Sequence, residues 1–139
     1  MGSDLGTAHE SAKGRQLRLL RVAIIDDDTS LRVALAGLLR SHGHHVFEHA
    51  SAETFLNSSD VGRIDCIVSD IHMPDMNGIE LKQRLNLAGD HTPVVLMTGR
   101  TYPGLEAQVT AAGAYGPLAK PFEATALLNA IAASIRMAD

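Results

Sequence analysis

Val22-Ala23-Ile24-Ile25-Asp26-Asp27-Asp28 sets four apolar residues directly against three acids. An apolar run of that length, rich in β-branched residues, fits a strand buried on both faces, with the acids marking its carboxyl end. The form recurs twice. Asp65-Cys66-Ile67-Val68-Ser69 leads into Asp70, and Pro93-Val94-Val95-Leu96-Met97 leads into Thr98. Between these runs lie helical patterns: Leu31, Leu35, Leu38 and Leu39 before Gly43, then Ile79, Leu81 and Leu85 before Gly89. Each glycine suits a helix stop. Two weaker strands, His45 to Ala50 and Tyr115 to Ala119, bring the count to five, with an Ala-rich helix around Leu105, Val109 and Ala112 before the last. A final stripe, Ala124, Leu127, Leu128, Ile131 and Ile135, comes after Pro121, which suits the first turn of that helix. Strands alternating with helices predict an α/β fold: a doubly wound five-stranded parallel sheet with helices on both faces, because crossovers between parallel strands carry helices.

In open sheets of this kind, sites form beyond the carboxyl ends of the strands. Just past the three strong strands stand Asp26-Asp27-Asp28, Asp70 and Thr98, and Lys120 stands just past the fifth. Carboxylates gathered at one edge repel one another unless a cation shares the site. A hard divalent ion such as Mg²⁺ takes carboxylate, carbonyl and phosphate oxygens, so the set points to phosphoryl chemistry. An aspartate nucleophile there needs a metal, a cation for the equatorial oxygens and a hydroxyl donor. Asp28 also reads simply as the cap of the next helix. Thr98 or Lys120 alone would be unremarked; only the set is informative.

The chain has 139 residues, 45% hydrophobic and 20% charged, which fits one folded domain and leaves no room for a second. Its formal net charge is −4 with both signs interspersed, so no broad basic surface would drive direct nucleic-acid binding. No stretch approaches the ~20 apolar residues of a membrane span, and the N-terminus lacks a secretory signal. Cys66, the one cysteine, sits in an apolar run and reads as a core residue, in keeping with a cytoplasmic setting. Residues 1 to 18, rich in Gly, Ser and charge, read as a flexible leader, native or left from expression, ahead of a domain over 19–139. His42, His44, His45 and His49 cluster in sequence, but no cysteine or carboxylate arrangement completes a zinc site around them, and a solvated loop is the better reading.

Four segments carry a resemblance to a known family: Val22–Asp28, Ile67-Val68-Ser69-Asp70-Ile71-His72-Met73-Pro74-Asp75-Met76-Asn77-Gly78, Val94–Gly99 and Lys120-Pro121-Phe122. Over about residues 20 to 137 the chain resembles the receiver domains of two-component response regulators, of chemotaxis-type fold and closest in flavour to nitrogen-fixation regulators. The resemblance implies a flavodoxin-like strand order 2-1-3-4-5 with five helices. It implies Asp70 as phosphoacceptor, with Thr98 and Lys120 on the phosphoryl oxygens. Asp26, Asp27, Asp70 and the backbone carbonyl of His72 would hold Mg²⁺ (or Mn²⁺), Asp26 largely through water. Gly78 would permit the turn into the third helix. The partners implied are a sensor histidine kinase or histidine phosphotransfer protein and a downstream protein target or missing output domain. A homodimer through the fourth helix, fifth strand and fifth helix is the family expectation. Such a module is a signalling domain that catalyses only its own phosphorylation and dephosphorylation.

The chain also departs from the family. Pro117 stands where receivers commonly carry the Tyr or Phe that swings inward on phosphorylation. In a regular strand Tyr115 would share a side with Pro117 and could stand in for it. His72 and Arg100 occupy positions that in the family tune water access to the acyl phosphate. Two other readings are open: a haloacid-dehalogenase-like phosphatase with Asp26 as nucleophile, which wants Thr where Ser30 stands, and a pseudo-receiver that binds partners without phosphorylation.

Overall fold

The run that opens at Val22 has no exposed face to offer, and in the computed structural model, which describes residues 18–138, Val22, Ala23, Ile24 and Ile25 are fully buried. They form β1 (Arg21–Ile25), followed by α1 (Thr29–Ser41), β2 (His45–His49), α2 (Ala52–Leu56) and β3 (Cys66–Asp70). The chain continues through α3 (Gly78–Leu87), β4 (Val94–Thr98), α4 (Leu105–Ala112), β5 (Tyr115–Ala119) and α5 (Ala124–Ala138). The sheet order is β2-β1-β3-β4-β5, all parallel, as expected. The expected leader lies outside the described residues apart from Arg18.

Alternate residues of each strand serve opposite faces. Ala23, Ile25, Ile67, Val94 and Leu96 pack under α2, α3 and α4, against Phe55, Leu81, Leu85, Leu105 and Val109. Val22, Ile24, Val68, Val95 and Met97 pack under α1 and α5, against Leu35, Leu39, Leu127 and Ile131. Cys66 belongs to this second core. Burial pushes its thiol up to about 12, and Ser134 Oγ lies 3.4 Å from its sulfur.

Caps explain where helices begin. Asp28 accepts from the Leu31 N–H at 3.1 Å, as its cap reading anticipates. Asn77 and Glu80 exchange bonds in a capping box at the start of α3, and Ser51 and Thr54 do the same for α2. α1 and α3 end two residues before Gly43 and Gly89. α2, one of the five helices expected, is only five residues long and has too few apolar positions to show a helical period. Two local expectations need correction. Pro121 precedes α5 by three residues and is not in its first turn. Asp70 and Thr98 end their strands and do not lie past them.

β5 is irregular. Val95 pairs with Tyr115 and Met97 with Leu118, so Gly116 and Pro117 together oppose Leu96. This is a bulge on an edge strand, where a proline is tolerated. A Cβ at Gly116 would meet the Leu96 carbonyl oxygen at 2.7 Å, and its φ of +117° suits glycine alone. The extra residue breaks the period of two, so Tyr115 joins Leu118 on the α1–α5 face. Tyr115 therefore does not stand in for a ring at position 117, because the two do not share a side.

Gly78 is needed for space and not for its turn, since its φ is not positive. A Cβ there would stand 2.5 Å from the Asp70 carbonyl oxygen and 2.8 Å from Leu96 Cδ2. Gly78→Ala should therefore destabilise the protein by about 2 kcal/mol in chemical unfolding, overpacking outweighing the better helix propensity of alanine. A stabilised variant would show that this approach is not close.

Candidate functional site

The carboxyl edges of β1, β3 and β4 meet because the strands are parallel and adjacent. Asp26 comes directly after β1, Asp70 ends β3, Thr98 ends β4, and Lys120 comes directly after β5. Asp26, Asp70 and Thr98 are buried, whereas Asp27 is exposed. One oxygen from each of Asp26, Asp27 and Asp70 lies within 4.8 Å of the others. Among the described residues this is the one group of three or more potential metal-ligating side chains, and the four histidines singled out in the sequence form none.

Asp26 is held on every side. Its N–H donates to the His49 carbonyl at 3.1 Å, its Oδ1 accepts from the Asp28 N–H at 2.9 Å, and its Oδ2 accepts from Lys120 Nζ at 3.2 Å. Asp70 is held less. Lys120 Nζ approaches its Oδ1 to 3.0 Å as an ion pair, yet no donor is directed at that buried oxygen in hydrogen-bonding geometry. Burial raises the Asp70 carboxyl above its ordinary value, with Asp26 adding to the effect and Lys120 opposing it. For the Lys120 ammonium, burial pulls downward, but Asp70 and Asp26 together outweigh it and hold the group above its usual range. The result is three clustered carboxylates against one ammonium, a surplus of negative charge that an incoming cation would offset.

Thr98 is engaged elsewhere. Its hydroxyl donates to the Arg100 carbonyl at 2.6 Å and accepts from the Arg100 N–H at 3.0 Å. His72 Nε2 lies 3.0 Å from the same oxygen. Since the one hydroxyl proton goes to Arg100, the imidazole is the donor in that contact. Arg100 thus acts through its backbone, its side chain being exposed. No hydrogen bond to the His72 carbonyl is found among the described residues.

One neighbour of the site went unread in the sequence. Arg32 Nη1 donates to the Asp26 carbonyl at 2.7 Å from the first turns of α1. Helical side chains lean toward the N-terminus, so a long residue four places after the cap Asp28 can reach back to the loop before the helix. That spacing is the signal that would have found it.

The chain matches the response regulator receiver domain family over residues 22–132. It is 40% identical over 116 residues to the transcriptional regulatory protein FixJ of Azorhizobium caulinodans, covering 84% of this chain and 55% of that one. It is 32% identical to the response regulator protein TodT of Pseudomonas putida, covering 84% of this chain and 52% of that one. The chain spans about half the length of the curated relatives it matches. The solved structure of FixJ-N is similar at a TM-score of 0.78 and 34% identity, covering 86% of this chain and 95% of that one. The Vibrio cholerae chemotaxis protein CheY4 is similar at 0.76 and 29%, covering 84% and 99%. This is not the family of the phosphatase alternative. With the acids, the threonine and the lysine at one edge of a 2-1-3-4-5 sheet, and with the family matched across all of them, the chain belongs to the response regulator receiver domains, the signalling modules of two-component systems.

Proposed function

We propose that Asp70 is the phosphoacceptor and that Asp26, Asp27, Asp70 and the His72 carbonyl bind Mg²⁺ (or Mn²⁺) beside it. The observation that carries this is the buried Asp70 Oδ1, which has no directed donor while standing 3.0 Å from Lys120 Nζ and among two further carboxylates. Three carboxylates with one oxygen each within 4.8 Å of the others would hold a hard divalent ion, directly or through bound water. When bound, the ion neutralises carboxylate charge and pairs with phosphoryl oxygens.

The chain's own residues supply the rest. An Asp70 carboxylate oxygen attacks phosphorus of a phosphohistidine on a sensor kinase or phosphotransfer protein; the O–P bond forms, the P–N bond breaks, and the imidazole leaves. Lys120 already stands at Asp70, and in meeting the equatorial oxygens it gives up its 3.2 Å hydrogen bond to Asp26. Thr98 must give up its bond to the Arg100 carbonyl before its hydroxyl can donate to the phosphoryl group. Phosphorylation then draws on the Thr98–Arg100 contacts, and hence on the β4–α4 connection. With Pro117 in place of the ring and Tyr115 on the opposite face, that connection is the route by which the signal reaches the α4–β5–α5 surface. An output domain, a separate target or a second copy would read that surface in the cytoplasm. His72, donating to the Thr98 oxygen, helps to place that hydroxyl and tunes the lifetime of the phosphorylated form.

Intact mass after incubation with acetyl phosphate tests the reading. The protein should gain one phosphoryl group in Mg²⁺ and none in EDTA, and Asp70→Asn should gain none. No gain in any condition would favour a phosphorylation-independent module. Stability gives a second check. Because burial raises the Asp70 carboxyl in the folded state, its ionisation is a cost that is complete above the folded value and absent below the ordinary carboxylate value. Asp70→Asn should therefore stabilise the metal-free protein at neutral pH by about 1 kcal/mol, the scale of a relieved buried polar group. The advantage in thermal melts should fade as pH falls through the carboxylate range, and a destabilised variant would contradict it.

A further inference from the structure

We infer that Arg32 is a positioning residue for divalent-cation binding, aiming the Asp27 carboxylate by fixing the peptide between Asp26 and Asp27. The inference rests on the receiver reading of the acidic site. Asp27 is exposed, and its side chain makes no hydrogen bond among the described residues, so its backbone alone fixes the point from which the carboxylate reaches the cluster. That backbone begins at the Asp26 carbonyl, which lies two residues before the helix cap, too early to take part in the helical ladder. Arg32 Nη1 donates to this oxygen at 2.7 Å, and no other donor to it is found among the described residues.

The guanidinium is itself constrained. Its Nε is buried and stands 3.4 Å from Glu48 Oε1 on β2, a paired charge without hydrogen-bond alignment. Glu48 is shared: its Oε2 accepts from Arg40 Nη1 at 3.2 Å, and Arg40 Nη2 donates to the Val46 carbonyl at 3.0 Å. One planar fork thus ties α1, β2 and the β1–α1 loop at the point where the loop carries two of the three clustered carboxylates. Arginine suits this because it offers fixed donors in two directions at once, whereas a lysine offers one compact charge.

The sign of the effect separates positioning from charge. A cation beside three carboxylates competes with a divalent ion, so by charge alone its removal would tighten metal binding. Loss of an outer residue that orients a ligand weakens it, commonly about 10-fold to 100-fold. Mn²⁺ affinity read from the paramagnetic resonance of the free ion should therefore fall about 10-fold in Arg32→Met. Arg32→Lys, which keeps the charge and can keep a donor on the Asp26 carbonyl, should recover most of the loss. Metal-free circular dichroism melts identify a variant that fails to fold, in which case Arg32→Gln takes the place of Arg32→Met in the same comparison. Wild-type protein that binds Mn²⁺ alongside a neutral variant that binds as tightly or more tightly would overturn the inference and leave the receiver reading intact. Wild-type protein that binds no Mn²⁺ would overturn both.

Discussion

Lys120 holds its ammonium between two buried carboxylates, 3.2 Å from Asp26 and 3.0 Å from Asp70, and the rest of the site is arranged around that contact. Two acids at the ends of adjacent strands would repel strongly in a low-dielectric setting. One lysine cannot satisfy both: Asp26 keeps its hydrogen bond from Lys120 and a second from the Asp28 N–H, while Asp70 Oδ1 is left buried without an aligned donor. The imbalance makes Asp70 the group with most to gain from an incoming positive centre.

The fold sustains this imbalance by burying everything beneath it. Three central strands contribute nearly unbroken apolar surface to both faces, and helices close over each. Gly78 lets α3 start against the Asp70 carbonyl, so the β3 end is pinned from outside while its side chain meets Lys120. Arg32 does the same for the β1 end through the Asp26 carbonyl. Backbone is fixed, and side-chain charge is left partly unmatched. The β4 end differs, because the Thr98 hydroxyl is occupied by Arg100 and His72 and must change partners to take part.

How much of this the sequence disclosed depends on which signals are local. β1, β3 and β4 were legible because a strand buried on both faces needs a continuous apolar run, and each run ended at a polar residue of the clustered sheet edge. Asp26, Asp27, Asp70, Thr98 and Lys120 were found together because parallel strands deliver their carboxyl ends to one edge. α2 is counted among the five expected helices but has no periodic signal to place it, because five residues hold little more than one helical turn and its start depends on Ser51 and Thr54 bonding each other. The bulge at Gly116 and Pro117 was missed because period two assumes regular pairing, and one extra residue moved Tyr115 to the other face. Thr98's contacts with Arg100 and His72, and the reach of Arg32, are tertiary facts that no spacing rule states outright, although the lean of helical side chains pointed toward the last.

The central claim is that the phosphoryl group resides on Asp70 and not on the neighbouring acids. Protein phosphorylated by acetyl phosphate in Mg²⁺ can be reduced with borohydride, which converts an aspartyl phosphate to homoserine, and then digested and mapped by peptide mass spectrometry. Homoserine is expected at position 70 alone. Homoserine at position 26 or 27, with Asp70 unmodified, would contradict the claim.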